Sequence, residues 1–390
     1  MKKFSRLASA LCIAYSSIIL TGCGGSSSKS EPVVVEEQPV VVVEQPVAMD
    51  YQTLIDSAIS DTIPGIVLLV DSPENRFLGS AGVASRESLE AMQVSAVMPN
   101  GSAGKKLTAL LVAQLADQGL LSLDETIDHW LPEELLSQIE HSEKMTLRQL
   151  LNHTAGVYDY LDDDDYESAV FHDPESLKTD AYVLQFALNK PASFEPGEGW
   201  DYSNTGYLLA GLILDEVLGQ HHSQEIRGRI LEPLGMNASY YGGVESERGE
   251  IIDGYYALES GEVISTKAFY HNIGIADAPL VANVEDVALL LKTIIEDDSF
   301  VGQEVREALI GESNLQSMGD GKFYGMGVIK ETINDTVVYH HGGEEAGYST
   351  TNIYIPSSQT SITAFFNCGG YEACEQETDE VVHAILREEL

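Results

Sequence analysis

Ser102-Ala103-Gly104-Lys105 sets a hydroxyl and an amine one helical turn apart, just ahead of the apolar stripe Leu107, Leu110, Leu111 and Leu115. A serine is a poor nucleophile until a base takes its proton, and a lysine at i+3 lies on the same helix face. Pro99-Asn100-Gly101 precedes the pair, so the pattern predicts a helix start at Ser102. There a backbone N–H and the helix dipole suit a developing oxyanion. The same spacing recurs at Ser26-Ser27-Ser28-Lys29, in a segment with no helix to orient it.

Two further groups complete a candidate site. Tyr202-Ser203-Asn204 follows the proline- and glycine-rich turn 194–201 and precedes a predicted helix over 207–218, stopped by Gly219. A tyrosine beside a lysine ammonium ionises more easily and could take the serine proton. Asn204 offers an amide to a substrate carbonyl. Tyr270-His271-Asn272 has the same spacing without the turn-then-helix setting, and is set aside. In His341-Gly342-Gly343, strand alternation puts Val337, Tyr339 and His341 on one face, and the glycines let the backbone approach a ligand. Neither His340-His341 nor His221-His222 has the companion ligands a zinc site requires, so no metal and no cofactor are expected.

These residues need elements to hold them. The run 66–70 reads as a buried strand and 76–83 as its hairpin partner. Helical patterns dominate from 102 to about 293. Strands are expected at 324–330, 336–341, 349–354 and 361–366, then a helix carrying Val381, Val382, Ile385 and Leu386. The fold class is therefore α/β (α+β). An antiparallel sheet from both chain ends is flanked by helices, a mainly helical subdomain (about 102–300) is inserted, and the site lies between them. A chain of 390 residues, 44% hydrophobic, can build such cores.

The N-terminus lies apart from these elements. Lys2, Lys3 and Arg6 precede an apolar stretch, and Leu20-Thr21-Gly22-Cys23 resembles a bacterial lipobox. Residues 1–22 are expected to be a lipoprotein signal and Cys23 the lipidated residue. Gly24 rather than Asp resembles outer-membrane sorting toward the periplasm. Residues 24–48 carry near-repeated proline-bounded Val/Glu segments, an extended tether reaching on the order of 70 Å. The folded part is 49–390. Export permits a Cys368–Cys374 disulfide, or leaves two free thiols. The net charge of −41 would repel nucleic acid and anionic headgroups, so a small-molecule or peptide substrate is expected. The sequence leaves the oligomeric state open.

The order S-x-x-K, Y-x-N, H-x-G resembles the penicillin-recognising serine hydrolases, specifically the class C β-lactamase, D-Ala-D-Ala carboxypeptidase and esterase family. Ile63-Pro64-Gly65-Ile66, the segment 147–156 (LRQLLNHTAG) and the stretch from His341 through Ser349 extend the likeness over about 49–390. The resemblance implies a β-lactamase/transpeptidase-like fold and an acyl-enzyme on Ser102. Lys105 would be the base or would hold Tyr202 ionised. Tyr202 would protonate the leaving group, Asn204 would orient the acyl carbonyl or Lys105, and His341 and Gly343 would line the substrate strand. The N–H groups of Ser102 and Glu344 would form the oxyanion hole, with His153 structural. Many relatives have Lys-Thr-Gly where this chain has His-Gly-Gly, and Glu344 and Glu345 come next. That departure favours esters, or peptides with a free amine, over carboxylate-bearing β-lactams and D-Ala-D-Ala peptides. A non-catalytic cell-wall peptide-binding protein is the reading from another class.

Overall fold

Antiparallel pairing between the two ends of the chain builds the central sheet. In chain order its strands are β1 (Gly65–Asp71), β2 (Arg76–Gly82), β3 (Gln316–Gly319), β4 (Lys322–Tyr324), β5 (Ile329–Ile333), β6 (Thr336–His340), β7 (Gly343–Glu345), β8 (Tyr348–Ile355) and β9 (Thr360–Phe366). They lie as β3-β4-β5-β6-β8-β9-β1-β2, and β7 continues the line of β6 along one edge of β8. The computed structural model describes residues 49–390. The leader, Cys23, Ser26, Lys29 and the tether lie outside them.

β1 and β9 are the most buried strands because helices cover both sheet faces. On the outer face Ile66, Leu68 and Ile362 meet Ile55 and Ile385, from the helices Tyr51–Ala58 and Glu372–Glu389. On the inner face Val67, Leu69 and Phe365 join the larger core with Leu107, Leu111 and Leu291. Between β2 and β3 the longest elements are the helices Lys105–Asp117, Thr205–Leu218 and Val284–Glu296, with one small three-stranded sheet and two strand pairs among them. Gly219, in the left-handed region at φ +63°, ends the second helix as expected.

The strand expected at 324–330 is broken in two. Residues 325–328 form a turn between β4 and β5. Gly327 has φ +72°, and a Cβ there would lie 3.0 Å from the Lys105 backbone, so this turn presses against the serine-bearing helix. His221 and His222 gain a companion the sequence did not reveal, Asp215. Asp215 accepts from the N–H of His222 at 2.8 Å and bonds its Nδ1 at 2.8 Å, while His222 Nε2 meets the Tyr241 hydroxyl. His221 stacks on the His222 ring at 4.6 Å and bonds Ser223 Oγ through Nδ1 at 2.9 Å.

Helix placement is tight where it fixes the site. Thr146 and Gln149 form a reciprocal cap on the helix Leu147–Leu151. Gly206 then lies so close that a Cβ would be 2.5 Å from the Leu150 carbonyl oxygen. Gly206→Ala should therefore cost about 2 kcal/mol and lower the melting temperature by about 5 °C. A melting temperature unchanged by calorimetry would show that the two helices can shift apart freely.

Candidate active site

Lys105 is fully buried and gathers three oxygens from three segments. Its Nζ lies 3.1 Å from Ser102 Oγ, 2.6 Å from Asn204 Oδ1 and 3.0 Å from the Asp277 carbonyl. Ser102 sits in a 3-10 turn, Gly101–Gly104, that leads into the Lys105–Asp117 helix. Asn204 precedes its own helix and donates through Nδ2 to the Asp159 carboxylate at 3.0 Å. The Asp277 carboxylate reaches Lys105 at 3.8 Å and accepts from the Tyr160 hydroxyl at 2.9 Å. Asp159 and Asp277 were not singled out from the sequence. Burial lowers the Lys105 pKa, although Asp277, Asp159 and Glu345 oppose the shift.

Tyr202 is held from below by His153. The motif 147–156 ends its helix with His153 in the left-handed region at φ +64°. This turns the ring under the tyrosine, with centroids 4.1 Å apart. His153 then brackets Tyr202. Its carbonyl accepts the Asp201 N–H at 3.0 Å and its Nδ1 accepts the Ser203 N–H at 3.2 Å. The Tyr202 hydroxyl is influenced by Ser102 without forming a hydrogen bond of ordinary geometry to it. The expectation of an easily ionised tyrosine is corrected here. Burial, then Asp277, Asp159 and Glu345, push the phenol well above its usual pKa despite Ser102. Lys105 Nζ lies 5.1 Å from the centroid of its ring.

The opposite wall is the β7–β8 hairpin. The His341 N–H donates to the Asn352 carbonyl, and alternation in the shared register makes Gly343–Thr350 and Glu345–Tyr348 the bonded pairs, so the N–H of Glu344 points away from β8. It points toward the nucleophile turn, because a Cβ on Gly101 would lie 3.0 Å from Glu344 N. A Cβ on Gly343 would lie 1.9 Å from the Asn100 oxygen and 2.9 Å from Ser102 N, so only glycine permits this approach. The N–H groups of Ser102 and Glu344 therefore flank the serine from two elements. His341, read from the sequence as substrate-binding, is 4% exposed and turned inward. Its Nε2 meets the Tyr324 hydroxyl at 3.1 Å and its Nδ1 the Gly342 carbonyl at 2.8 Å, so the ring braces Tyr324. Its own carbonyl accepts from buried Lys106 at 3.1 Å.

Glu344 and Glu345 point opposite ways, as strand alternation requires. Glu344 accepts the Gly370 N–H at 2.9 Å on the outer side. Glu345 lies on the Gly101 side and accepts from the Tyr270 hydroxyl at 2.9 Å. Tyr270, set aside in the Y-x-N decoy, is thus a support of this hairpin, and its oxygen also accepts the Ala346 N–H. Cys368 and Cys374 are joined in a disulfide. The loop it closes braces the hairpin through Gly370, through Gly369 O to the Gly347 N–H at 3.0 Å, and through Cys368 O to Ser349 Oγ at 2.9 Å.

A serine, a buried lysine and a tyrosine between an antiparallel sheet and a helical region define a serine hydrolase. Residues 48–387 match the family model described as Beta-lactamase, and the chain belongs to that family. It is 27% identical over 343 residues to penicillin-binding protein 4* of Bacillus subtilis (strain 168), covering 83% of this chain and 70% of that protein. Protein flp of Staphylococcus aureus (strain N315) is 25% identical over 272 residues, 67% of this chain; the match spans about half, 51%, of that protein's length. Among solved structures, a D-stereospecific amidohydrolase from Streptomyces sp. shares the fold with a TM-score of 0.74 at 24% identity, over 86% of this chain and 97% of that one.

Two outcomes follow from this geometry. Replacing both cysteines (Cys368→Ser with Cys374→Ser) should lower kcat about tenfold with little change in KM. That falls short of the roughly 10²–10³ lost when an oxyanion donor is removed. An unchanged kcat would show that the hairpin stands without its brace. Secondly, burial lifts Asp159 and Glu345 from the usual 3.8 and 4.5 to about 7. The folded protein holds these protons more tightly than the unfolded chain. The associated stability is complete below about pH 4 and is lost as pH rises through about 7. Melting temperature should fall between pH 5.5 and 8, and Glu345→Gln should shrink that fall by a few degrees. An identical fall in the variant would remove Glu345 as a cause.

Proposed function

We propose that this protein is an exported, membrane-anchored hydrolase that cleaves an ester or amide bond through an acyl-enzyme on Ser102. The observation that carries the reading is the set of contacts around Lys105 Nζ. A neutral amine has two N–H donors and one lone pair. Asn204 Oδ1 and the Asp277 carbonyl take the donors, and the lone pair is left for the Ser102 proton.

Ser102 Oγ bonds to the acyl carbon while Lys105 takes its proton, and the carbonyl electrons move onto oxygen. The N–H groups of Ser102 and Glu344 receive that oxyanion. Its collapse restores the carbonyl and breaks the bond to the leaving group. The leaving group takes a proton from the Tyr202 hydroxyl, which Lys105 replenishes. Water then bonds to the acyl carbon of the Ser102 ester while Lys105 accepts its proton; collapse of the oxyanion breaks the bond to Ser102 Oγ and releases the acid, and Lys105 returns the proton to Oγ. A neutral tyrosine suits this relay better than a phenolate, which supports Lys105 as the base for acylation.

Anchoring at the cell envelope, facing the periplasm, is supported by the basic leader, the Leu-Thr-Gly-Cys23 ending and the proline-rich tether. Cys23→Ala should abolish incorporation of labelled palmitate. β-Lactamase or D-Ala-D-Ala carboxypeptidase activity is the second reading, favoured by the name of the Bacillus relative. The carboxylate on the Gly101 side and the missing lysine and hydroxyl weigh against it.

A fluorophosphonate probe and a labelled penicillin, each beside Ser102→Ala, test the choice. Ser102-dependent labelling by the phosphonate alone supports an esterase or amidase. A stable penicilloyl adduct or rapid penicillin turnover overturns that preference, and no labelling at all leaves a binding protein. For the base, kcat/KM should rise with pH through a Lys105 pKa below the usual 10.5. Lys105→Arg should lower it at least about 10³-fold at pH 8. Retention of the wild-type rate would assign proton removal elsewhere.

A further inference from the structure

The nucleophile has an acidic flank that the acyl-enzyme chemistry does not use. Glu345 approaches from β7, with its Cγ 3.2 Å from where a Gly101 Cβ would stand. Asp277 approaches from the loop before residue 280, on the Lys105 side. Asp277 is 3% exposed. Its Oδ2 is taken by Tyr160, while its Oδ1 has no hydrogen-bond partner among the described residues. A buried carboxylate oxygen without a donor is costly unless something arrives to fill it.

Tyrosines surround these carboxylates. Tyr160 and Tyr166 pack edge to face at 4.8 Å, and Tyr270 holds Glu345. Electron-rich rings with carboxylates at their edges form a setting that suits an ammonium ion. The charge balance points the same way. Asp159, Asp277 and Glu345 act on a single buried amine, Lys105, and each carboxyl is raised from its ordinary pKa by burial. A cation entering beside Ser102 would supply the missing positive charge, whereas a carboxylate would add to the excess.

We infer that Glu345 and Asp277 form a subsite for a primary ammonium group on the acyl part of the substrate, which makes aminoacyl esters or amides the substrate class. Glu345 takes one N–H of the ammonium from the β7 side and Asp277 Oδ1 takes another, while the carbonyl oxygen lies between the N–H groups of Ser102 and Glu344. The assignment rests on the acyl-enzyme reading of Ser102 and adds to it the residues that select the acyl group.

The test needs no turnover. Wild-type protein is treated with α-aminoalkyl phosphonate diphenyl esters of alanine and phenylalanine, in both hands, and with their N-acetylated counterparts. A simple fluorophosphonate serves as the control. The rate of Ser102 labelling is followed by intact mass. The free amine of at least one hand should react at least about tenfold faster than its N-acetylated form, a preference of about 1.4 kcal/mol. In Glu345→Gln and in Asp277→Asn that ratio should fall toward one. The fluorophosphonate rate in each variant separates loss of selection from loss of folding or of Ser102 reactivity. Equal or faster reaction of the N-acetylated compounds overturns the subsite, as does a ratio unchanged in both variants. If the fluorophosphonate labels Ser102 but neither phosphonate ester does, the subsite fails and the hydrolase reading stands. If no probe labels Ser102, both fail together.

Discussion

A buried amine among three oxygens is the constraint on which this molecule's active half depends. Removing an ammonium or amine from water is costly unless its donors are met. At Lys105 the partners come from Ser102 on its own turn, Asn204 at the start of another helix and Asp277 on a loop far along the chain. Each of those segments must arrive in place for any one contact to be worthwhile. Lys106 extends the arrangement. Adjacent helical residues point in different directions, so two successive buried lysines reach different parts of the fold. Lys105 reaches the helical region, and Lys106 reaches the His341 carbonyl beside the sheet. One turn of one helix thus joins both walls of the site.

Close backbone approach supplies what those contacts cannot. Gly101, Gly327 and Gly343 stand where a Cβ would meet backbone atoms at or below 3.0 Å. Two of them bring β7 against the nucleophile turn, and the third presses the β4–β5 turn on Lys105. The N–H of Glu344 gains its direction from hairpin pairing and needs nothing from its own side chain. That leaves the Glu344 carboxylate free to turn outward and meet the disulfide-closed loop, so the same residue joins the oxyanion wall to its support.

Much of this was legible in the sequence because it depends on local pattern. The serine–lysine pair, the turn-borne Tyr202 and Asn204, and the glycines after His341 are spacings that any chain must express as neighbours on a helix, turn or strand. The end-to-end sheet followed from apolar runs. What stayed hidden has no local mark. Asp159 and Asp277 are two acids among 62 acidic residues, and only tertiary burial sets them apart. The ionisation of Tyr202 reversed for the same reason, since sequence shows a nearby lysine but not the burial, nor the carboxylates that add to it. At His341 the glycines were read as room for a ligand, and what they admit in the structure is the nucleophile turn. The approach belongs to the backbone, while the ring is drawn inward by Tyr324 and by its neighbour's carbonyl. The strand expected over 324–330 failed where Gly327 had to meet Lys105.

Chemistry and recognition in this site rest on different atoms, and that separation explains how one can change without the other. The oxyanion donors are backbone N–H groups, indifferent to the side chains around them. The proposed proton path runs through Lys105 and Tyr202, both fixed from the helical region. Substrate charge, by contrast, falls in the proposed reading to side chains on the facing strand. There a lysine–threonine pair would present donors to a carboxylate. This chain instead turns His341 inward, offers only backbone at Gly342, and places Glu345 on the reactive side. The electrostatic sign of the wall is inverted while the N–H of Glu344 keeps its direction, because alternation along a strand sends successive side chains apart without altering the ladder that aims the backbone.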